Sequence, residues 1–127
     1  MADDPQPLVS TVLAAADPQG LARFYGALLE TPPQVGFSSS HWRLSLPGGG
    51  TLELYAPSQR RPLLAAGGRQ ALCLRRRGAR PMLETWIAAA CDRGAQLEEG
   101  PREEPFGWEA WLRDPEGNRL LLLTVPS

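Results

Sequence analysis

The sequence contains no lysine. All 13 basic residues are arginine, and His41 is the single histidine among 127 residues. The lysine deficit is read as codon bias and carries no functional argument. The scarcity of histidine does carry one, because Cys73 and Cys91 have no second imidazole with which to form a nucleophile–base pair. A phosphate-cradling loop is also missing, since Gly48-Gly49-Gly50 runs into strand-like residues rather than into a helix start with lysine. No motif supports a Ser-His-Asp arrangement. No apolar run approaches membrane-spanning length, and Met1–Pro7 does not resemble a signal peptide. A net charge of −1 gives nucleic acid or an acidic membrane nothing to recognise. These absences predict a cytoplasmic protein whose two cysteines are reduced, buried thiols. The remaining composition, 43% apolar and 21% charged, is that of one soluble globular domain able to bury its own core.

What the chain does have is an internal repeat. Leu44-Ser45-Leu46-Pro47-Gly48-Gly49-Gly50-Thr51-Leu52-Glu53-Leu54 returns as Leu112-Arg113-Asp114-Pro115-Glu116-Gly117-Asn118-Arg119-Leu120-Leu121-Leu122. Pro47 maps to Pro115, Gly49 to Gly117 and Leu54 to Leu122, a constant offset of 68 residues. Between the matching Leu52 and Leu54 of the strand that follows the turn, Glu53 breaks the match and becomes Leu121.

Local patterning agrees with two copies of one unit. Leu8–Ala16 reads as a strand, and Asp17-Pro18 supplies an N-cap and a first-turn proline. Leu21, Phe24, Tyr25, Leu28 and Leu29 then form one apolar helix face, which Pro32-Pro33 ends. Val35–Leu46 and Thr51–Tyr55 flank a turn as a hairpin. The second half restarts with a strand at Ala71–Arg75 and a helix at Ala79–Arg93, with Met82, Leu83, Trp86, Ile87 and Ala90 on its apolar face and Gly94 as its stop. Strands at Gly107–Arg113 and Arg119–Val125 follow, joined by a turn.

This arrangement resembles the vicinal oxygen chelate superfamily, also called glyoxalase/bleomycin-resistance/dioxygenase, and within it the metal-free bleomycin-resistance-like branch. The resemblance rests on Asp17 with Phe24-Tyr25 and Leu28-Leu29, on Leu52-Glu53-Leu54, on Pro105-Phe106-Gly107-Trp108 and on Arg113-Asp114-Pro115-Glu116-Gly117-Asn118. It implies an α+β fold of two tandem βαβββ modules forming a curved mixed sheet around a cleft. One domain would span residues 1–127, with module one at about 8–58, a linker at about 59–69 and module two at about 70–125.

Enzymes of this family hold a divalent metal with ligands from the first and last strand of each module. Matched residue by residue, those slots fall at Ser10, Glu53, Ala71 (or the adjacent Gln70) and Leu121. Only Glu53 is a competent ligand, whereas such sites need about three nitrogen, oxygen or sulfur donors. The matching therefore implies neither a metal nor another cofactor.

Strand alternation places Leu44, Leu52, Leu54 and Leu112 toward the helices. It turns Val12, His41, Arg43, Ser45, Thr51, Glu53, Tyr55, Cys73, Glu109, Trp111, Arg113, Arg119 and Leu121 toward the cleft, where the matched slot Ser10 joins them. Aromatic faces, arginine forks and one carboxylate suit a planar or amphipathic organic ligand. Ser10, His41, Arg43, Glu53, Tyr55, Cys73, Trp111, Arg113 and Leu121 are accordingly the candidate ligand-binding residues, and none is assigned a catalytic role. Plainer roles stand beside these. Trp86, Trp42 and Trp108 read as core, His41 as an exposed strand residue, Glu53 as the partner of Arg43 across the hairpin, and Arg75–Arg77 as a solvated strand end.

The expected function is metal-free sequestration of an aromatic or amphipathic small molecule, such as an antibiotic or natural product. The resemblance also implies a homodimer, with Pro5 and Pro7 stiffening an arm before the first strand. The alternative is a lyase, isomerase or dioxygenase of the same fold, with a non-standard metal site or with Glu53 as a general base whose pKa burial has raised.

Overall fold

The computed structural model describes residues 7, 9–58, 63–65 and 68–126. The chain divides into two compact units, Met1–Leu63 and Leu64–Ser127. Of the expected linker, residues 59–62, 66 and 67 lie outside the described residues, as do Pro5 and Leu8.

In the first unit, strand β1 (Ser10–Ala14) leads into helix α1 (Pro18–Leu29), and then into β2 (Gln34–Val35), β3 (His41–Ser45) and β4 (Thr51–Tyr55). The sheet order is β1-β4-β3-β2, with β1 parallel to β4 and the other pairs antiparallel. Asp17 caps α1 as its sequence position predicts, its Oδ1 accepting the Gly20 amide at 3.1 Å. The helix stops before the expected prolines. Glu30 adopts φ 55°, and the Thr31 amide reaches back to the Gly26 carbonyl at 2.9 Å, so a left-handed cap rather than Pro32 ends the hydrogen-bond ladder.

The second unit repeats the plan with β5 (Leu72–Arg77), α2 (Arg80–Asp92), β6 (Gln96–Glu104), β7 (Gly107–Arg113) and β8 (Arg119–Val125), ordered β5-β8-β7-β6. Again the first strand runs parallel to the last. Each unit is thus a βαβββ module, and the α+β class read from the sequence holds.

The repeat offset reappears as hydrogen bonding. The Leu46 amide donates to the Gly50 carbonyl at 3.0 Å and the Gly49 amide to the Leu46 carbonyl at 3.1 Å. In the second copy the Asp114 amide donates to the Asn118 carbonyl at 2.8 Å and the Gly117 amide to the Asp114 carbonyl at 2.9 Å. The second turn is fastened further by the buried Asp114 carboxylate, which accepts from the Glu116 amide, the Asn118 amide and Asn118 Nδ2, each at 2.9 Å.

Packing follows the predicted alternation. Leu44, Leu52, Leu54, Leu112, Leu120 and Leu122 are fully buried. Burying a leucine side chain contributes about 2 kcal/mol, so these repeated leucines anchor each sheet to its helix. Leu21, Phe24, Tyr25 and Leu28 of α1, and Leu83, Trp86, Ile87 and Ala90 of α2, complete the two cores. Met82 differs from expectation, being 42% exposed at the margin of that stripe.

Three further departures have local causes. Val35–Leu46 is not one strand, because a Gly36–Ser40 turn separates β2 from β3. Strand β6 escapes periodicity because its Gln96–Glu104 sequence is almost entirely polar. It lies at the sheet edge with register shifts on either side of Glu99. Gly100 there has φ 102°, and a Cβ would stand 2.6 Å from the Glu109 carbonyl oxygen, so the bulged strand admits no side chain at that point. Finally, Cys73 and Cys91 are free thiols as expected but exposed rather than buried. Cys73 lies on the sheet face away from α2, and Cys91 lies beside, not on, the α2 stripe that ends at Ala90.

Candidate functional site

Cross-strand registers assign the chemistry-bearing residues to the face of each sheet that turns away from its helix. In the first module, Ser10 pairs with Thr51, Val12 with Glu53 and Ala14 with Tyr55. Across the hairpin, Tyr55 pairs with His41, Glu53 with Arg43 and Thr51 with Ser45. Because directly opposed residues share a face, Ser10, His41, Arg43, Glu53 and Tyr55 all lie together.

The centre of this surface is a bond between diagonal neighbours. His41 Nε2 lies 2.8 Å from Glu53 Oε1, so Glu53 does not take its direct cross-strand partner Arg43. The proton's position follows from the other ring nitrogen. His41 Nδ1 accepts the Phe37 amide at 2.9 Å and is therefore bare, so the hydrogen is on Nε2 and points at the carboxylate. The His41 side chain is only 13% exposed, which replaces the exposed strand histidine of the plainer reading. The Phe37 ring stacks on the imidazole at 5.1 Å with an interplanar angle of 7°.

Hydroxyls extend this network. Ser10 and Thr51 share a hydrogen bond of 2.6 Å, and Thr51 Oγ1 reaches Glu53 Oε2 at 3.5 Å. The hydrogen bond from His41 holds the Glu53 carboxyl below the usual carboxylate range, assisted by Ser10 and by the Arg43 charge against the opposing effect of burial. This reverses the raised pKa expected of a general base. With both ring nitrogens engaged, His41 likewise has no free lone pair to offer a substrate.

Beside this network is a hollow of about 400 Å³ bordered by Val12, Phe37, Ser38, Ser40, His41 and Tyr55. Phe37, Ser38 and Ser40 were not among the sequence candidates, although the Ser38-Ser39-Ser40 run is a turn signal in its own right. Arg43 reaches over the Phe37 ring at 5.2 Å, and its buried Nε has no hydrogen-bond partner among the described residues.

The second module brings Cys73, Leu121 and Trp111 into one row, with Arg113 opposite Arg119 in a neighbouring row of the same face. The Arg119 guanidinium lies over the Trp111 ring at 4.1 Å. Arg113 is occupied, its Nε donating to Glu98 at 2.9 Å and its Nη1 to the Gly117 carbonyl at 3.1 Å. Gly68, Glu98, Glu99, Trp111, Arg113 and Arg119 border a recess of about 500 Å³. Glu98 and Glu99 were missed because β6 itself was missed. The other tryptophans follow the core reading in part: Trp86 is buried beneath Arg76, while Trp108 and Trp42 are half-buried, Trp108 under Arg80 and Trp42 donating to the Ser39 carbonyl.

The donor chemistry does not fit the family's metal. Of the matched slots, Ser10 offers a hydroxyl already bonded to Thr51, Glu53 is bound by His41, and Ala71 and Leu121 carry only hydrocarbon. Among the described residues, no three His, Cys, Asp or Glu side chains are grouped as a metal would require.

Two βαβββ modules with their polar residues on the helix-free faces define a glyoxalase-type protein. The glyoxalase-like domain model matches residues 10–123, and the chain belongs to that family, within the glyoxalase/bleomycin-resistance/dioxygenase group. Solved structures share the fold. A glyoxalase/bleomycin resistance protein from Albidiferax ferrireducens is 23% identical over 92% of this chain and 97% of its own, with a TM-score of 0.72. TnmS3, an antibiotic binding protein from Streptomyces sp. CB03234, is 22% identical over 98% and 100%, with a TM-score of 0.64. Lactoylglutathione lyase from Agrobacterium tumefaciens is 18% identical over 96% of each chain, with a TM-score of 0.65. A search of the curated proteins finds no match to the sequence. No helix among the described residues is long and apolar enough to cross a membrane.

Proposed function

We propose that this chain is a small-molecule-binding protein that works without a metal, sequestering an aromatic or amphipathic compound such as an antibiotic or another natural product. The observation that carries the reading is the closed His41–Glu53 pair. Its imidazole is saturated on both nitrogens, and its carboxylate is held in the ionised form by internal donors. Such a pair shapes and polarises a surface, leaves no imidazole nitrogen free for a metal, and makes Glu53 a weaker base than an ordinary carboxylate. In the first module aromatic and hydroxyl side chains border a hollow beside this pair, and in the second module a tryptophan with an arginine over its ring borders a separate recess. Tyr55 and Phe37 supply ring area to the first hollow, with Ser10 and Arg43 on the same sheet face, and Trp111 supplies it to the second, with Arg113 at its border.

TnmS3 supports this reading as an antibiotic binding protein of the same fold. The lyase of that fold represents the enzymatic alternative. Against the alternative stand the donor set and the depressed Glu53, which make a weak base. The homodimer expected from the family belongs to the same proposal and is tested by light scattering. A cytoplasmic location belongs to it too, since two exposed free thiols suit a reducing compartment.

The test is tryptophan fluorescence against a panel of planar natural products, with and without added Mn, Ni, Zn or ferrous iron. Saturable quenching that ignores metal and weakens in Trp111→Phe or Glu53→Ala is the expected result. Binding or turnover that appears only with metal overturns the proposal in favour of the enzyme.

A further inference from the structure

The recess of the second module holds two arginines and two glutamates, and their pairing is uneven. Arg113 is committed to Glu98 at 2.9 Å and to the Gly117 carbonyl at 3.1 Å. Arg102, adjacent on β6, gathers Glu109 at 2.7 Å, Glu104 at 2.9 Å and, more loosely, Glu99 at 3.7 Å. Arg119 has no carboxylate partner among the described residues. Its guanidinium instead lies 4.1 Å over the Trp111 ring, at the border of a space of about 500 Å³.

Stacking fixes what an arginine can do. A guanidinium lying over an indole spends its face on the ring and keeps its N–H edges in the plane, where a carboxylate binds in two-point fashion. The side chain's rotamer freedom is already restricted before a ligand arrives, so less is lost on binding. A planar ligand then finds a guanidinium or indole surface to lie against and a pre-set fork for its anionic edge.

We propose that Arg119, held by Trp111, is the anion-reading residue of the binding site, and that the ligand is a planar aromatic compound bearing a carboxylate. The proposal rests on the small-molecule reading and names the ligand class for it. Glu99 opposes this role, because a loosely paired carboxylate in the same recess repels an anion. Its removal therefore strengthens binding of an anionic ligand in this recess, and the role of Arg119 itself is read from its own variants.

The experiment is an NMR titration of the full chain, following the Trp111 indole N–H, with three probes of one ring system: 2-naphthoate, 2-naphthamide and 2-naphthylmethylammonium. Expected is binding of the naphthoate about tenfold tighter than the amide, with the ammonium weakest. Arg119→Gln should abolish the preference, so that naphthoate and amide bind equally whatever stacking both lose with the guanidinium. Arg119→Lys should recover only part of the preference, since it restores charge without the fork. Glu99→Gln should tighten naphthoate alone. Equal binding of all three probes, or preference for the ammonium, overturns the anion assignment and leaves the small-molecule reading standing. No perturbation of Trp111 by any probe overturns the assignment and counts against that reading as well.

Discussion

Replacing His41 with alanine tests whether the His41–Glu53 bond organises the first module. Three contacts disappear together. The charge-assisted bond from Nε2 to Glu53 is lost from a setting where the side chains are 13% and 22% exposed, and contributes about 1.5 kcal/mol, the lower end for a bond to a charged group. The stack on Phe37 contributes about 0.5 kcal/mol, since that ring is otherwise 87% exposed. The Phe37 amide loses its acceptor at an exposed position and turns to water at little cost. The variant should be destabilised by about 2 kcal/mol in urea denaturation, with an unchanged denaturant slope. Glu53→Gln keeps an acceptor oxygen and should cost about 0.5–1 kcal/mol. The double variant closes a thermodynamic cycle, and the coupling between the two sites should be about 1 kcal/mol. A coupling near zero would refute the argument, because the two side chains would then be held independently and the bond would merely accompany their placement.

The remaining expectations concern pH, the second turn and metal. Because the folded state depresses the Glu53 pKa, the stability this group adds is full above its unfolded value of about 4.3 and is lost as pH falls through the lower folded value. The advantage of the wild type over Glu53→Gln in urea midpoint should therefore shrink as pH falls from neutral through the acidic range, and a gap that widened on acidification would contradict the sign. Asp114→Ala removes three hydrogen bonds from a buried carboxylate and should cost about 2–4 kcal/mol by denaturation, with Asp114→Asn recovering part of it. Added Mn, Ni or Zn should leave the melting temperature unchanged within about 1 °C, whereas a saturable rise would reveal a donor set outside the described residues.

Much of the fold was legible because it is written in apolar periodicity and repeated. The leucines at 44, 52 and 54 and at 112, 120 and 122 announce both the strands and the buried faces. Asp17-Pro18 announces a helix start by a mechanism that needs no tertiary contact. Strand β6 stayed hidden because an edge strand of paired glutamates around a glycine and a proline forms through backbone pairing with β7, which no local pattern records. The candidate residues shared a face as alternation required, yet their bonding was not foreseeable. Direct opposition made Arg43 the natural partner of Glu53, but the Gly36–Ser40 turn places the Phe37 amide on His41 Nδ1, and that fixes the tautomer which selects Glu53. A hydrogen bond set by a turn four residues away leaves no trace in composition or spacing.

Under the 68-residue offset the helix-side leucines keep their identity, Leu44 with Leu112, Leu52 with Leu120 and Leu54 with Leu122. The opposite face has changed at every step, Arg43 to Trp111, Ser45 to Arg113, Thr51 to Arg119, Glu53 to Leu121. Duplication here separated two burdens that a single copy must carry at once. One surface keeps the leucines that hold sheet to helix, and the other differs between the copies, each with its own polar contacts. A new specificity can thus arise by rewriting one half of the chain while the other goes on supplying the old chemistry.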